Sequence, residues 1–490
     1  VFPIAAPIRK SCAAVAVLLA AGCATIPAVG PRPEIRDAST VEASQSLAVT
    51  DSRAWPTDEW WMQYGDPQLD ALIAEALANS PDVAAAAARF RRAAGVAMEA
   101  GGARLPSVDA SASAYEDRRS LNNGFSDEIR RFLPSGWRSG DDASVRAGFD
   151  LDLWGRNRAA HAAATSQMRA AAIDAMEARL MLASAVALAY ADLGELHSRR
   201  DIRQSALELR TASRDLVSKR LVNGLETRGS LRQADAQVAT ARADLAEADA
   251  LILLRRHQIA ALLGAGPDRG LAIGRPRSLP ALPTALPQGV TTDLVARRPD
   301  IVAARERAEA AARQVDVARA DFFPAIRLDA LIGLQSIGLS SLFESASTYG
   351  RVGPAVNLPL FHGGALRGRY RQSRASFDEA VANYDRAVLD AYRELADVVT
   401  RRAAVASRLA DAREALAASE DAYAVAMLRY RGGLSGYLEA LQVEDRLLVA
   451  RLGVSNLDAE VRALDIALIR ALGGGFASEN HSPAKEAIDG

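Results

Sequence analysis

Cysteine is almost absent from this chain. The two that occur, Cys12 and Cys23, lie at the extreme N-terminus, so the remainder has neither a disulfide framework nor a thiolate metal site to draw on. Histidine is also scarce, with five residues and none paired at metal-ligand spacing. His161, His197 and His257 fall in helical stretches and read as surface or seam positions. Aromatics make up 5 % of the chain while alanine is abundant. That composition excludes a thick aromatic core and fits long helices packed closely through small residues. Neither sign of charge dominates, with 59 basic against 60 acidic residues and a net charge of −1. The basic excess of a nucleic-acid binder is therefore missing. There is no GxSxG elbow, no Walker loop and no metal-spaced His/Glu cluster. Asp150 and Asp152 resemble a carboxylate pair, but strand alternation puts both on one polar face. The sequence gives no support for an enzyme, and no metal or other cofactor is expected.

What the chain does contain is the same statement twice. Ser80-Pro81-Asp82-Val83-Ala84-Ala85 returns 218 residues later as Arg298-Pro299-Asp300-Ile301-Val302-Ala303. Leu105-Pro106 returns as Phe323-Pro324. Asp150-Leu151-Asp152-Leu153-Trp154-Gly155 returns as Asn357-Leu358-Pro359-Leu360-Phe361-His362-Gly363. Gly224-Leu225 matches Gly433-Leu434, and Leu263-Gly264 matches Leu472-Gly473. The period is too long for a solenoid unit. It predicts a tandem duplication of one large element, with pseudo-twofold symmetry inside a single chain.

The N-terminal stretch reads as an address. Arg9-Lys10 precedes an apolar run, Ser11 to Ala21, too short to span a bilayer as a mature helix. Leu19-Ala20-Ala21-Gly22-Cys23 then resembles a bacterial lipobox, in which the cysteine is acylated and becomes the first mature residue. The match is imperfect, because Ala20 occupies the usual leucine place. An ordinary secretory signal cleaved nearby is the alternative. Ala24 follows Cys23, where an aspartate would typically retain a bacterial lipoprotein at the inner membrane. The expected organisation is a signal peptide over 1–22 and a lipidated arm over 23–57. Repeat 1 spans 58–264 with a strand pair in 107–153, and a Pro-rich connector covers 265–290. Repeat 2 spans 291–473 with a strand pair in 325–360, followed by a disordered tail over 474–490.

Two kinds of periodicity fill the repeats. A helix is predicted from Asp66-Pro67 to about Gly101, with Asp66 as N-cap and proline at the first helical position. Beyond Leu105-Pro106 the period becomes two. Val145, Ala147, Phe149, Leu151 and Leu153 share one strand face, opposite Arg146, Gly148, Asp150 and Asp152. Ile326, Leu328, Ala330, Ile332 and Leu334 repeat the pattern, as do Val352, Val356, Leu358 and Leu360. Ser107 to Glu116 is the weakest of the four. A long polar loop, about 117–143, is expected to join the first pair. Read alone, the strands fit a small soluble sheet with one wet face. Their length also suits a membrane barrel, and then four strands are too few, since open edges are forbidden in lipid and barrels begin at about eight. If these strands span a membrane, an oligomer that pools them would satisfy that demand.

After each second strand the pattern is helical and very long. From Arg156 to about Val222 there is no proline and one glycine, Gly194. Two heptad seams run along it, through Ile173, Met176, Leu180, Ala183, Ala187 and Tyr190, and through Leu182, Val186, Ala189, Leu193 and Leu196. A helix with two seams packs on both sides, as a stave does. Each long helix is expected to turn at a glycine, Gly224 or Gly433, and return.

Five motifs, in order, resemble the TolC-like outer membrane factors, in the OprM/NodT lipoprotein branch. They are Trp60-Trp61 with Tyr64-Gly65-Asp66-Pro67; Arg298-Pro299-Asp300-Ile301 continuing to Asp321-Phe322-Phe323-Pro324; and Leu358-Pro359-Leu360-Phe361 with Gly363-Gly364. The last two are Arg429-Tyr430 to Gly433 with Tyr437-Leu438, and Ala467 to Gly475. The resemblance covers nearly the whole chain. It implies a mainly α fold with a small β part, in which long antiparallel helical hairpins form an α-barrel. Four transmembrane strands per chain would contribute to a twelve-strand β-barrel in a homotrimer. It implies an outer membrane exit duct, lipid-anchored at Cys23 and extending into the periplasm. Its partners would be a periplasmic adaptor (membrane fusion) protein, an inner-membrane RND-type transporter and outer membrane lipid, with no nucleic acid. Gly224, Leu225, Gly433 and Leu434 fall at the tips that dock the adaptor. Tyr430, Arg429, Glu439 and Gln442 fall at the periplasmic gate, where Gln442 replaces an expected carboxylate and Ser435 an expected arginine. A duct for type I protein secretion and a lipid-tethered periplasmic coiled-coil scaffold are the alternatives. The residues do not name the transported substrate.

Overall fold

The computed structural model describes residues 26–36, 40–47, 52–118, 120, 124, 126–132, 136–277, 279–280 and 285–477. The expected signal peptide, Cys23 and most of the expected tail, 478–490, lie outside the described residues. Mainly helical with a small antiparallel β part is the fold observed. The helices are α1 (Pro67–Asn79), α2 (Pro81–Gly102), α3 (Asp127–Arg130), α4 (Arg156–Val222), α5 (Arg228–Leu262), α6 (Pro267–Leu271), α7 (Val290–Arg297), α8 (Pro299–Ala320), α9 (Ala365–Arg431) and α10 (Tyr437–Ala471). The strands are β1 (Ser52–Arg53), β2 (Ser107–Arg118), β3 (Trp137–Asp150), β4 (Leu286–Pro287), β5 (Ala325–Ile337) and β6 (Thr348–Asn357). Helix lengths come in equal pairs. Helices α2 and α8 have 22 residues each, α4 and α9 have 67, and α5 and α10 have 35.

Three sequence expectations need correction. The first helix does not run unbroken to Gly101. Ser80 adopts extended dihedrals and Pro81 opens a new helix, because proline lacks the N–H that would continue α1 and disfavours helical geometry in the residue before it. The loop after β2 is shorter than the polar run predicted, since β3 already begins at Trp137. Packed order also extends past Gly473, with Phe476 buried.

The chain divides into two compact units, one of 1–34, 91–169 and 305–382, the other of 35–90, 170–304 and 383–490. The first holds the four-stranded sheet, ordered β2-β3-β5-β6 and antiparallel throughout. Its edge strands β2 and β6 pair on one side only. The second unit holds the buried core. Both predicted seams of α4 are buried between Leu182 and Leu196, where they meet Trp60, Leu69, Ile73, Ile252 and Ile259. Asp66 ties this region together. Its carboxylate accepts from the backbone N–H of Gln68 at 2.9 Å, capping α1, and from the Tyr190 hydroxyl at 2.7 Å. Burial and the Asp66 carboxylate together push the Tyr190 phenol well above its ordinary pKa.

The Arg-Pro-Asp motif has a different use from its Ser-Pro-Asp counterpart. Ser80 accepts from the Asp82 N–H at 3.3 Å, a plain helix cap. Arg298, nearly buried, instead forks onto Asp300 at 2.7 and 3.0 Å, reaches Glu394 of α9 at 2.9 Å, and donates to the Ala471 carbonyl at the end of α10 at 3.2 Å. Arg470 completes the network at 2.6 Å from Glu394. Burial pushes the Glu394 carboxyl up, but Arg298 and Arg470 outweigh it and hold it below its ordinary value. A depressed carboxylate contributes stability above its unfolded pKa and loses it as pH falls through the folded value. Arg298→Ala is therefore expected to cost on the order of 2 kcal/mol, read as a lower apparent melting temperature in detergent. Glu394→Gln is expected to lower it at neutral pH, with the gap from wild type closing below about pH 4. A gap independent of pH contradicts this account.

Candidate functional site

Each long hairpin turns in the same way. The N–H of Leu225 bonds the Arg220 carbonyl at 2.8 Å and that of Gly224 bonds Leu221 at 3.0 Å; Leu434 to Arg429 and Gly433 to Tyr430 repeat the pair at 2.9 and 3.1 Å. This is the Schellman closure of a helix, and it requires a left-handed residue where Gly224 and Gly433 sit at φ +71° and +76°. Beyond the turn, the Thr227 hydroxyl caps α5 by accepting from the Ser230 N–H at 3.1 Å. The turns push apolar side chains outward, so that Val222, Leu225 and Leu434 are all strongly exposed.

Between the two turns lies a clamp. Tyr430 is fully buried, in a cluster with Val217, Ala234, Tyr437, Ala440 and Leu441. Its hydroxyl donates to Glu226 at 3.1 Å, and Arg220 donates to its backbone carbonyl at 3.0 Å. The Arg220 guanidinium lies 4.9 Å from the centre of the Tyr430 ring, a cation–π arrangement. Arg220 and Glu226 belong to the first turn, Tyr430 to the second. The clamp therefore locks one hairpin to the other. Burial first, then the Glu226 carboxylate, pushes the Tyr430 phenol up, and burial pushes Tyr437 up to about 12. Both stay neutral donors at physiological pH.

Of the residues expected at the gate, the structure brings only Tyr430 into this cluster. Arg429, Glu439 and Gln442 are exposed, and none of their side chains has a hydrogen bond or ion pair among the described residues. Glu439 sits in the first turn of α10, where the helix dipole favours a negative charge. Sequence reasoning missed Arg220, Glu226 and Tyr437. The repeat held a signal for them, since an offset of 209 sets Arg220 against Arg429, Glu226 against Ser435 and Arg228 against Tyr437. Further along the hairpins, buried Arg210 reaches Glu444 at 3.4 Å and Asp445 at 2.8 Å. Burial raises the Glu444 carboxyl, and Arg210 opposes that rise. Arg402 and Asp465, both buried, form a second such pair.

The sheet is two-faced. In register across it lie Ala110, Val145, Ile332 and Gly350, and next to them Val108, Ala147, Ala330 and Val352. This face is apolar and open, with Val352 78 % exposed. On the other face, Ser111, Ser144, Gly333 and Tyr349 form a polar row. There the Tyr349 hydroxyl reaches from β6 across β5 to donate to Asp142 of β3 at 2.6 Å. A Cβ on Gly333 would stand 2.8 Å from the Tyr349 ring, so that crossing needs glycine beneath it. Among the described residues, no helix is long and apolar enough to cross a membrane. No group of three or more His, Cys, Asp or Glu among them is placed to hold a metal ion.

The chain is similar to known proteins in sequence and in fold. The Fusaric acid resistance protein FusA of Burkholderia cepacia is 34 % identical, the match covering 75 % of this chain and 70 % of that protein. The Multidrug resistance outer membrane protein MdtP of Escherichia coli K12 is 30 % identical over 87 % of this chain and 88 % of its own. The crystal structure of the outer membrane protein VceC from Vibrio cholerae superposes with a TM-score of 0.81 at 41 % identity, covering 86 % of this chain and all of that one. The model of the outer membrane efflux protein family matches residues 72–265 and again 290–474. These two matches span both halves and the turns and strands just described, and the chain belongs to the outer membrane efflux protein family, whose members are channels.

Proposed function

We propose that this chain is the outer-membrane exit duct of a tripartite efflux system. It works as a homotrimer, passively passing small molecules delivered by an inner-membrane RND-type pump through a periplasmic adaptor. The observation that carries the reading is the sheet. It is apolar on one face and polar on the other, and each edge strand has one side unpaired among the described residues. In hydrocarbon each open edge leaves N–H and C=O groups without partners, at several kcal/mol apiece. Three sheets joined edge to edge remove every edge, giving twelve strands with the apolar face to lipid and the row of Ser111, Ser144, Tyr349 and Asp142 to the lumen. The long hairpins supply the tunnel, and the exposed knobs Leu225 and Leu434 beside Gly224 and Gly433 supply an apolar docking surface for the adaptor. Two relatives are named for resistance to fusaric acid and to multiple drugs, which supports toxic organic molecules as the substrate class. Covalent lipid on Cys23 anchors the arm. Selectivity lies mainly upstream, in the pump that delivers the permeant.

The Tyr430 clamp and Glu439 have separate roles at the tip. The clamp holds the two hairpins of a chain together, while three exposed Glu439 carboxylates form a ring that focuses negative potential on the passage.

The reading is tested by the purified full chain in planar bilayers. Discrete channels and an SDS-resistant trimer are expected, and a monomer without conductance overturns it. Glu439→Ala is expected to lower cation preference; unchanged selectivity removes Glu439 from the passage. Tyr430→Phe deletes a hydrogen bond worth about 1 kcal/mol and is expected to raise open probability, whereas an unaltered open probability leaves the clamp a purely structural part. Cys23→Ala is expected to abolish incorporation of labelled palmitate, and labelling that persists excludes that anchor.

A further inference from the structure

The end of the sheet that carries the long helices has a surface that export itself does not use. Strand β3 leaves through Leu151, Leu153 and Trp154, and β6 through Leu360 and Phe361. All five are exposed, Leu360 at 65 % and Phe361 at 88 %. The Trp154 ring stacks on Phe323 at 4.7 Å and its indole N–H donates to the Pro324 carbonyl at 2.8 Å. Phe322, one residue earlier, meets Tyr370 of α9 edge-on at 6.1 Å. Arg369 and Arg371 flank Tyr370, and Arg319 lies three residues before Phe322. These three arginines are exposed, and their side chains have no hydrogen-bond or ion-pair partner among the described residues.

The carboxylates nearby are already engaged. Asp321 pairs with Arg156 at 2.7 Å. Asp150 accepts from the Asp152 N–H at 2.9 Å. Asp152 caps α4, accepting from the N–H groups of Asn157 and Arg158 at 2.9 and 3.0 Å, and pairs with the Arg158 side chain at 3.3 Å. The second copy has no such anion. Asn357 and Pro359 replace Asp150 and Asp152, and no acidic residue occurs between Asn357 and Arg374. What the first copy neutralises internally, the second leaves open to the outside, beside exposed leucine and phenylalanine.

We propose that this junction binds an anionic phospholipid of the leaflet that meets the helix end of the sheet. Leu360 and Phe361 enter the acyl region, and the exposed guanidinium groups of Arg319, Arg369 and Arg371, standing on different sides of the junction, each add attraction for the anionic headgroup. The inference rests on the reading that the sheet spans a bilayer. A surface arginine contributes about fivefold to such binding, and salt screens it.

The test reconstitutes the full chain into vesicles of phosphatidylethanolamine alone or mixed with phosphatidylglycerol, and counts lipids retained through detergent extraction by native mass spectrometry. Wild type is expected to retain phosphatidylglycerol preferentially. Each of Arg319→Gln, Arg369→Gln and Arg371→Gln is expected to weaken that preference, and the triple variant to abolish it with circular dichroism unchanged. Equal retention of both lipids by wild type overturns the proposal, and so does a triple variant that keeps the preference. Displacement of the lipid by millimolar inorganic phosphate also overturns it, since the site would then take a free anion. A wild-type chain that enters neither kind of vesicle refutes the membrane-spanning reading itself, a result distinct from the others.

Discussion

An antiparallel sheet with open edges must hand its unpaired backbone groups to something, and that constraint governs what this chain can be. In water the edges of β2 and β6 could be solvated, and the sheet would need only one buried face. Here the apolar face is open and none of the described residues covers it. Hydrocarbon satisfies the face but not the edges; other copies satisfy the edges but not the face. The proposed barrel, with copies joined edge to edge in a bilayer, accounts for both, and the family to which the chain belongs is one of outer-membrane channels.

The helical part obeys a different economy. Along the seams the buried residues are largely alanine, leucine and valine, and polar side chains help fix how hairpins sit against each other. Arg298, Arg402 and Arg210 each reach a carboxylate on α9 or α10 from a buried or nearly buried position. Breaking such a pair leaves a stranded charge, so these contacts specify register more than they add net stability. Tyr190 on Asp66 and Tyr430 on Glu226 do the same with neutral donors.

Much of this was legible in the sequence because periodicity survives folding. The α4 seams between Leu182 and Leu196 and the turn glycines follow from local geometry and stand where the pattern placed them, whereas β3 and β6 end at Asp150 and Asn357, short of the predicted Leu153 and Leu360, and Asp152 leaves the predicted strand face at φ +45° to cap α4. The break at Ser80-Pro81 was legible too, and was overridden by a helical pattern that continued on both sides. The early start of β3 was not, because Trp137 to Asp142 is polar and glycine-containing and gains its strand form from pairing with β2 and β5. The site was half visible. Tyr430 and the turn glycines could be placed by motif, but Arg220 and Glu226 belong to the other copy. Their partnership with Tyr430 spans about two hundred residues, and no single-window pattern joins them.

The clamp has a mechanical consequence. The trimer proposed above would have six hairpin tips, and independent tips would give the mouth of its tunnel six moving parts. Because Arg220 and Glu226 of the first turn grip Tyr430 of the second within one chain, the six would collapse to three pairs. Opening of that proposed duct would then be a motion between chains, with the seam between protomers as hinge line and the paired turns Gly224-Leu225 and Gly433-Leu434 as one composite handle per subunit.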